Sequence, residues 1–519
     1  MDTKALRQKI LDLAIRGKLV PQDPNDEPAE VLLERIREQK QQMFKEGKLK
    51  KKDIKNDTII FKGEDNLHYE KFADGTVKCM EDEIPFEVPE GWAWCKLNDI
   101  YNFIDYRGAT PTKITNGIPL VTAKNVKSGY IDYTIDDYIS EEEFKERQQR
   151  GISKKGDILF TTEAPLGNAA LADMEKFSAG QRLITFQQYG SKNELINYVM
   201  LMFILSDFFQ QQLYVNKTGS TVAGIKAAIL KTLWIPVPPY NEQLRISNTL
   251  KSAINLIDSI SKNKEILSTS ISNTKSKILD LAIRGKIVPQ DPNDEPASVL
   301  LERIRAEKEE LIKQGKIKRD KKESVIFKGD DNSYYEKIGN KVNCIDEEIP
   351  FELSEGWAFI RLKTAWELIS GRDLSPSEYN DKNDGIPYIT GASNFRNGHI
   401  SLVRWTTVPQ VITRRGDLLL TCKGTIGEIA HNNFGEAHIA RQIMAIRNIY
   451  SLNVDFLALC IEYSMTKIKQ AAKGLIPGIS REDILNLVIP IPPTKEQENI
   501  CNKLKATFSA IEHIEKSLN

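Results

Sequence analysis

The chain has 519 residues, 40% hydrophobic and 28% charged, which is enough for two globular domains and too much for a single core. Lysine plus arginine and aspartate plus glutamate each total 72, so bulk charge does not indicate a nucleic-acid partner. The longest apolar run, at 198–205, is shorter than the roughly 20 residues that span a bilayer, and the first ten residues do not resemble a secretory signal. We therefore expect no membrane segment and a cytoplasmic location.

Two helices are predicted at the start of the chain. Residues 4–16 place apolar side chains on one face and end at Gly17, where a glycine commonly terminates a helix. A second helix is predicted from Glu27 or Pro28 to near Gly47, because proline suits the first turn and the following residues have apolar positions at helical spacing.

Two polar segments occur once in each half of the chain. PQDPNDEP, at 21–28 and 289–296, is interpreted as an element that caps and docks the following helix rather than as a metal site. The strongly basic stretches at 45–55 and 313–322 are interpreted as mobile connectors rather than as phosphate-binding segments.

The two central regions, from about 83 to 240 and from about 348 to 493, have a mixed pattern. Short β-branched segments alternate with glycine, proline and asparagine clusters, and each region then has one helical stretch. Because there is no regular alternation of strands and helices, this pattern predicts an α+β domain in each region.

A long helix is predicted after the first of these domains. Residues 241–284 contain no proline and no glycine, which corresponds to roughly 65 Å of helix. Alternating spacings of four and three place seven residues on one coiled-coil-like face, namely Ile260, Lys264, Leu267, Ile271, Thr274, Ile278 and Leu281. Such a helix needs a partner helix to cover this face.

The chain is an internal repeat. Residues 10–40 return at 278–308 with only four of 31 positions changed. Weaker pairs follow, namely 83–97 with 348–362, 117–125 with 385–393, 154–167 with 414–427, and 235–246 with 489–500. Between these pairs the halves differ, which is typical of one scaffold that carries different loops.

The repeat also predicts what covers the long helix. The final segment of the chain matches the start of that helix and the first segment matches its end, so the two termini together make a second copy. We therefore expect two antiparallel long helices and a cyclic, pseudo-two-fold arrangement of two pseudo-repeated α+β domains. The predicted divisions are a first helix (1–20), a helical and basic connector (21–82), a first α+β domain (83–240), a central helix (241–288), a second connector (289–347), a second α+β domain (348–493) and a C-terminal helix (494–519).

The sequence has no recognisable catalytic motif. We find no P-loop, no G-x-G-x-x-G after a strand, no H-E-x-x-H, no G-x-S-x-G and no cysteine–histidine pair with metal spacing. VPPY at 237–240 is similar to the N-P-P-Y of adenine methyltransferases, but Val237 and the corresponding Ile491 cannot accept a hydrogen bond. We interpret both sites as proline-fixed exits from a strand into a helix.

These features together resemble one family. With duplicated domains, the junctions PPYNEQ and PPTKEQ, the long helices after them and no catalytic motif, the whole chain resembles the specificity subunit of type I restriction-modification systems. The resemblance implies that each half holds a target recognition domain and that the helices set the distance between two short half-sites on double-stranded DNA. It also implies a non-catalytic chain that binds no cofactor itself, and partners of two kinds. Two modification subunits bind S-adenosylmethionine and methylate adenine, and two restriction subunits use ATP and magnesium.

Candidate DNA-binding residues are polar and basic side chains in the loops that differ between the halves, since such side chains read base edges. In the first half they are Arg107, Thr110, Lys113, Lys124, Asn125, Lys127, Arg182, Lys217, Ser220 and Thr221. In the second half they are Arg372, Ser375, Asn394, Arg396, Asn397, Lys423, Arg441, Gln442 and Lys473. About a third of them are expected to contact DNA, because phosphate and sugar take half or more of such bonds.

Two other functions stay open at this point. The zero net charge is compatible with a two-headed scaffold that binds only proteins. A stand-alone DNA methyltransferase or nuclease is a weaker alternative, because the cofactor loop is missing and Val237 and Ile491 replace the expected acceptor.

Overall fold

The computed structural model describes residues 2–54, 57–106, 110–189, 194–219, 223–317, 319, 323–396, 399–450, 452–471 and 478–518. The chain divides into two compact units, Met1–Lys264 and Glu265–Asn519. Within the described residues, no helix is both long enough and apolar enough to cross a membrane.

Unit 1 combines helices with short strands. Its helices are α1 (Thr3–Ile15), α2 (Ala29–Lys45), α3 (Lys51–Ile54), α4 (Leu97–Ile100), α5 (Glu141–Arg147), α6 (Asn197–Ile204), α7 (Asp207–Val215), α8 (Ala227–Leu230) and the first part of α9 (Tyr240–Ile283). Its strands are β1 (Ile59–Lys62), β2 (His68–Lys71), β3 (Val77–Cys79), β4 (Ala93–Lys96), β5 (Tyr101–Asp105), β6 (Ile118–Val121), β7 (Tyr138–Ile139), β8 (Ile158–Thr161), β9 (Ala169–Leu171), β10 (Ser178–Ala179), β11 (Leu183–Gln188) and β12 (Trp234–Val237).

Unit 2 begins with the second part of α9 and repeats this plan. Its other helices are α10 (Ala297–Lys313), α11 (Leu362–Ala365), α12 (Val454–Ala471), α13 (Arg481–Leu485) and α14 (Thr494–Leu518). Its strands are β13 (Ser324–Lys328), β14 (Tyr334–Ile338), β15 (Lys341–Cys344), β16 (Ala358–Arg361), β17 (Trp366–Ser370), β18 (Ile386–Ile389), β19 (Phe395–Arg396), β20 (His399–Ile400), β21 (Trp405–Thr406), β22 (Ile412–Thr413), β23 (Leu418–Thr421), β24 (Ile429–His431), β25 (Ala437–Ile439), β26 (Ile443–Asn448) and β27 (Val488–Ile491).

A four-stranded antiparallel sheet forms the centre of each unit. The strand order is β5-β11-β8-β9 in unit 1 and β17-β26-β23-β24 in unit 2. In unit 1 the buried ring of Phe186 lies between Tyr101 and Phe160, with ring centroids 5.8 and 5.4 Å away. The same core contains the almost entirely buried helix α6, which explains the continuous apolar run at 198–205. The expected α+β class is confirmed in both units.

Each unit also has a three-stranded antiparallel meander where a basic connector was expected. The meanders are β1-β2-β3 and β13-β14-β15. The prediction of helical or basic connectors at 21–82 and 289–347 is therefore wrong where these strands lie. Two features hide the strands from a sequence pattern: each has only three to five residues, and a buried glutamate, Glu70 or Glu336, interrupts the expected apolar face.

In unit 1 the start of α9 packs against the first helix. Buried side chains on α9 recur at spacings of four, four and three, at Ile246, Leu250, Ile254 and Ile257. An ion pair joins Arg7 of α1 to Asp258 of α9. The first helix therefore supplies the partner that the repeat predicted for this part of α9.

In unit 2 the end of α9 has the C-terminal helix as a partner. Lys275 of α9 forms a 2.7 Å ion pair with Glu515 of α14. The predicted apolar face is confirmed at Ile271, which is buried, and it is wrong at Leu267, which is 40% exposed. Thr274 is a polar interruption of this face, and its hydroxyl donates to the carbonyl of Ser270 in the preceding turn.

The PPYNEQ junction of unit 1 folds into a buried hydrogen-bonded cluster, which we call the Trp–Glu lock. The indole N–H of Trp92 donates to Glu242 Oε2 at 2.9 Å, and Gln22 Nε2 donates to Glu242 Oε1 at 3.1 Å. Burial raises the pKa of Glu242, while these two hydrogen bonds lower it. The next residue, Gln243, donates to the carbonyl of Pro238 at 3.0 Å and fixes the strand exit.

Unit 2 has the same lock at PPTKEQ. The indole N–H of Trp357 donates to Glu496 Oε2 at 3.0 Å, and burial raises the pKa of Glu496. Gln497 Nε2 donates to the carbonyl of Pro492 at 2.9 Å. The interpretation of the proline pairs as exits from a strand into a helix is confirmed, since β12 leads into α9 and β27 into α14.

The PQDPNDEP segments dock against these helix starts. Asp26 forms a 2.5 Å ion pair with Arg245 of α9, and Asp294 lies 3.8 Å from Lys495 of α14. The docking part of the prediction is confirmed. The capping part is wrong, because the residues at the N-cap positions of α2 and α10 are Pro28 and Pro296, which make no side-chain cap.

The lock predicts a specific loss of stability when its donor is removed. Trp357→Phe leaves the buried Glu496 without the indole donor, which costs about 1–3 kcal/mol beyond the lost packing. Trp366→Phe is the matched control in the same unit, since its buried indole N–H has no hydrogen-bond partner among the described residues. We expect Trp357→Phe to unfold roughly 2–10 °C below Trp366→Phe in a thermal melt. Equal melting temperatures of the two variants would show that the hydrogen bond from Trp357 to Glu496 does not stabilise the unit.

Candidate nucleic-acid interface

In unit 1 three chain segments meet at the end of the central sheet. Because β8 and β11 are antiparallel neighbours, the end of one lies beside the start of the other. The amide of Thr162 donates to the carbonyl of Arg182 at 3.0 Å, and the amide of Ile225 donates to the carbonyl of Thr162 at 3.0 Å. Glu163 also forms a β-bridge with Gly224. These segments form what we call the recognition edge of unit 1.

The side chains at this edge are polar and paired. Arg182 forms a 3.1 Å ion pair with Glu163, and the two side chains are 51% and 44% exposed. Beside them, the hydroxyl of Thr110 donates to Gln181 Oε1 at 2.8 Å. The structure thus brings together two predicted residues, Arg182 and Thr110, with two that the sequence reasoning missed, Glu163 and Gln181.

The other candidates of unit 1 have separate environments. Lys113 forms a 2.6 Å ion pair with Asp137, and Lys127 Nζ donates to the carbonyl of the exposed Lys124 at 2.7 Å. Lys217 lies over the ring of Tyr214, with Nζ 4.8 Å from the centroid. Three further candidates lie outside the described residues: Arg107, Ser220 and Thr221.

Unit 2 builds its recognition edge with the same backbone contacts. The amide of Cys422 donates to the carbonyl of Gln442, and the amide of Ile479 donates to the carbonyl of Cys422, both at 2.8 Å. Lys423 forms a β-bridge with Gly478, as Glu163 does with Gly224 in unit 1.

The side chains on this second edge differ from those on the first. Arg441 forms an exposed 2.7 Å ion pair with Asp373, while Lys423 and Arg372 are exposed. Ser375 is engaged locally, since its hydroxyl donates to Glu378 at 2.7 Å. The side chain of Arg396 and the residues Asn397 and Lys473 lie outside the described part of the chain.

Two predicted residues, Asn125 and Asn394, are structural in this conformation. Both are buried, and each side-chain oxygen accepts from the backbone and hydroxyl of a preceding threonine, Thr122 or Thr390. Each side-chain N–H₂ donates to a backbone carbonyl within its own loop. Because both side chains are buried and hydrogen-bonded within their own loops, neither reaches a base in this conformation, and we correct the prediction for this pair.

The segment that carries each recognition edge is supported by a different buried side chain. In unit 1 Arg147 donates to Ser178 Oγ at 3.0 Å and to the carbonyl of Ala179 at 2.7 Å. In unit 2 His438 replaces this support, with Nε2 2.8 Å from the carbonyl of Arg372 and Nδ1 accepting from the amide of Val411. Burial lowers the pKa of His438, which favours the neutral imidazole that this acceptor role requires. His438 therefore has a positioning role.

The sequence contains only a weak indication of the residues that the prediction missed. Segments 178–184 and 438–444 occupy equivalent positions before β11 and β26, so Gln181 corresponds to Arg441. The predicted candidates were polar and basic side chains, so the acidic partners Glu163 and Asp373 were not among them.

Comparison with known proteins decides the family. A family model, the type I restriction modification DNA specificity domain, matches residues 89–268 and 354–519, which is more than half of the chain. The chain belongs to this family. Each matched segment contains one recognition edge. The chain is accordingly a non-catalytic DNA-specificity subunit of a type I restriction-modification system, which binds DNA and acts with other subunits of that system.

Relatives cover nearly the whole specificity subunit. It is 27% identical to the type I restriction enzyme EcoAI specificity subunit of Escherichia coli, over 97% of this chain and 90% of the relative. It is 26% identical to the EcoEI specificity subunit of the same organism, over 99% and 90% of the two chains. A solved structure, described as the basis of complex assembly and conformational transition of the type I R-M system, aligns with a TM-score of 0.55. That alignment is 19% identical and covers 84% of this chain and 94% of the other, so it supports the fold.

The paired charges lead to opposite predictions for the two members of one ion pair. An exposed pair stabilises a protein by about 0–1 kcal/mol, so Glu163→Gln is expected to leave the fold intact and to release Arg182 for DNA. We expect Glu163→Gln to increase the DNA affinity of the assembled complex. Arg182→Gln should reduce it roughly 10- to 100-fold at the half-site read by unit 1, if the guanidinium contacts a base.

The measurement is fluorescence anisotropy on duplexes in which one half-site at a time is scrambled. Arg441→Gln is the matched control, because it should affect the half-site read by unit 2 instead. If Arg182→Gln weakens binding to every duplex equally, Arg182 contacts phosphate and does not read a base.

Proposed function

We propose that this specificity subunit reads an asymmetric, two-part DNA site, with one recognition edge on each half-site. The observation that carries the proposal is the contrast between the two edges. Their backbone contacts are the same, whereas Glu163, Gln181 and Arg182 of unit 1 are replaced by Lys423, Arg441 and Gln442 in unit 2. Two edges with different donors and acceptors have different base preferences.

We propose further that the long helices set the unread spacer between the half-sites. Helix α9 has 44 residues, so it is roughly 65 Å long. Half-sites on one face of DNA recur about every 34 Å, and a helix of this length is long enough to bridge such intervals.

The partners follow from the repeat. The helices at 28–44 and 296–312, which are identical at 10 of 17 positions, are proposed to dock two copies of one modification subunit together with the long helices. S-adenosylmethionine is assigned to those subunits, and ATP and magnesium are assigned to two restriction subunits. Native mass spectrometry at saturating modification subunit should give two copies for each chain, and a single copy would contradict the symmetry.

Two experiments test the DNA-reading proposal. Mapping of methylated adenines in the source genome, with and without this gene, should show a two-part motif that disappears with the gene. Binding of the assembled complex to duplex DNA should weaken steeply with salt, because phosphate contacts release counterions. A complex that forms but shows no salt-dependent DNA binding would instead support the protein-only scaffold.

A heptad deletion tests the spacer. Removing residues 262–268 shortens α9 by about 10 Å and nearly preserves the angular phase of the helix. We expect the spacer in the methylation motif to shorten by about 3 base pairs, at 3.4 Å per base pair along each strand. Replacing the same seven residues with alanine is the control, since it keeps the length and should leave the spacer unchanged. If the spacer is unchanged after the deletion, the length of α9 does not set the distance between the half-sites.

A further inference from the structure

The meander of unit 1 has one face turned away from the rest of the unit. The register pairs Phe61 with Tyr69 and Tyr69 with Cys79, and paired residues in an antiparallel sheet share a face. The neighbouring pairs place Ile59, Lys71 and Val77 on that same face. We call these six residues the outer face of unit 1. Val77, Lys71 and Cys79 are exposed, and the rings of Phe61 and Tyr69 stack at 5.9 Å.

Unit 2 presents the same face. Its six residues are Val325, Phe327, Tyr335, Lys337, Val342 and Cys344, placed by the same register. Phe327 is 41% exposed and Val342 is 52% exposed. The rings of Phe327 and Tyr335 again stack at 5.9 Å. Five of the six positions are identical in the two units, and the sixth changes isoleucine to valine.

The opposite face of the meander keeps Ile60, Lys62 and Glu70 as Ile326, Lys328 and Glu336, and it changes at two positions. His68 of unit 1, which lies 3.0 Å from Glu81, corresponds to Tyr334 in unit 2. Lys78 corresponds to Asn343. The buried ion pair of Glu70 with Lys96 is made by Glu336 with Arg361 in unit 2.

Packing alone does not account for the retained outer face. An exposed valine or phenylalanine is free to become polar and gains solubility by doing so. In both meanders the exposed apolar residues are nevertheless retained. A function of the exposed face itself accounts for the retention.

We propose that each outer face binds one copy of the same protein partner, the modification subunit. The surface of the partner that contacts it is apolar and includes a carboxylate. This inference rests on the proposed function. The aromatic pair and the valine supply apolar area of the kind that anchors protein interfaces. Lys71 and Lys337 have no ion-pair partner among the described residues, so each can meet a carboxylate of the partner. Because the two faces carry nearly the same residues, each binds a copy of the same partner.

A protein fits this face better than DNA. A DNA surface needs several cations to neutralise phosphates. Each outer face has one lysine among five uncharged residues, and the nearby Lys78 of unit 1 is already paired with Glu83 at 2.6 Å. Both meanders also lie outside the residues that the DNA specificity domain model matches. The surface is therefore separate from the recognition edges.

The two cysteines of the outer faces provide a probe that needs no mutation. Cys79 and Cys344 are exposed, whereas the other four cysteines of the chain are buried. The rate of N-ethylmaleimide labelling at each cysteine is measured by peptide mass spectrometry for the chain alone, with the modification subunit, and with DNA alone. We expect the modification subunit to slow labelling at both cysteines at least tenfold, and DNA alone to leave both rates unchanged.

The outcomes separate this inference from the proposed function. If native mass spectrometry shows an assembled complex in which either cysteine keeps its free rate, the paired docking faces are overturned. Protection by DNA alone would show a nucleic-acid surface instead, which also overturns the inference. Salt-dependent DNA binding by the same wild-type complex is measured in parallel, and its loss would count against the proposed function without affecting the labelling result.

Substitutions give a second, independent readout. Phe61→Asp and Phe327→Asp should each reduce the bound modification subunits from two to one, and the double variant should bind fewer than one. Lys71→Glu and Lys337→Glu leave the aromatic pair intact and should weaken the same copies at least tenfold. Val403→Asp is the matched control, because it places the same charge at a 54% exposed valine outside the outer face of unit 2. If Phe61→Asp and Phe327→Asp fold, as judged by thermal melting, and still bind two copies, the inference fails.

Discussion

The buried carboxylate at the start of each long helix is the interaction on which the rest of each unit depends. Glu242 accepts from Trp92, which directly precedes β4, and from Gln22 of the PQDPNDEP segment, so a single side chain joins three separate segments of the chain. A buried carboxylate is stable only if its oxygens are hydrogen-bonded, which makes any loss of these donors costly. The lock thereby fixes where α9 leaves the domain that reads DNA.

The recognition edges show how a chain with no net charge serves a DNA-reading complex. Their arginines are held by acidic partners, Arg182 by Glu163 and Arg441 by Asp373. Such exposed pairs contribute little to stability and can exchange one partner for another at small cost. These acidic residues pair with the arginines in this structure, and they offset positive charge that would otherwise have indicated a nucleic-acid partner.

The two units differ at their recognition edges and agree at their buried locks. At the recognition edges, Glu163 of unit 1 corresponds to Lys423 of unit 2, and even the buried supports, Arg147 and His438, are different. At the locks, by contrast, the same tryptophan, glutamate and glutamine recur. One subunit therefore combines two different readings with one repeated framework.

The sequence by itself determined the repeat, the α+β class, the strand exits at the proline pairs and the length of the central helix. These follow from features that are local or periodic, such as the spacing of apolar residues along α9 and the fixed φ of proline. It also gave the family, because the two PPxxEQ junctions and the absence of catalytic motifs are visible without coordinates. It identified Arg182 and Arg441 among the candidates, but it could not separate them from Asn125 and Asn394.

Only the tertiary structure decided which of these side chains are available. Asn125 and Asn394 have the composition of base readers, and their burial depends on loop hydrogen bonds to Thr122 and Thr390 that no pattern in the sequence displays. The meanders were missed because short strands with an inward glutamate lack a clear alternation. Glu70 is tolerated there because Lys96 and the hydroxyl of Thr58 pair with its carboxylate. Long-range pairing decides both cases, since burial depends on which distant segments fold against a residue, and the sequence specifies this only through the complete fold.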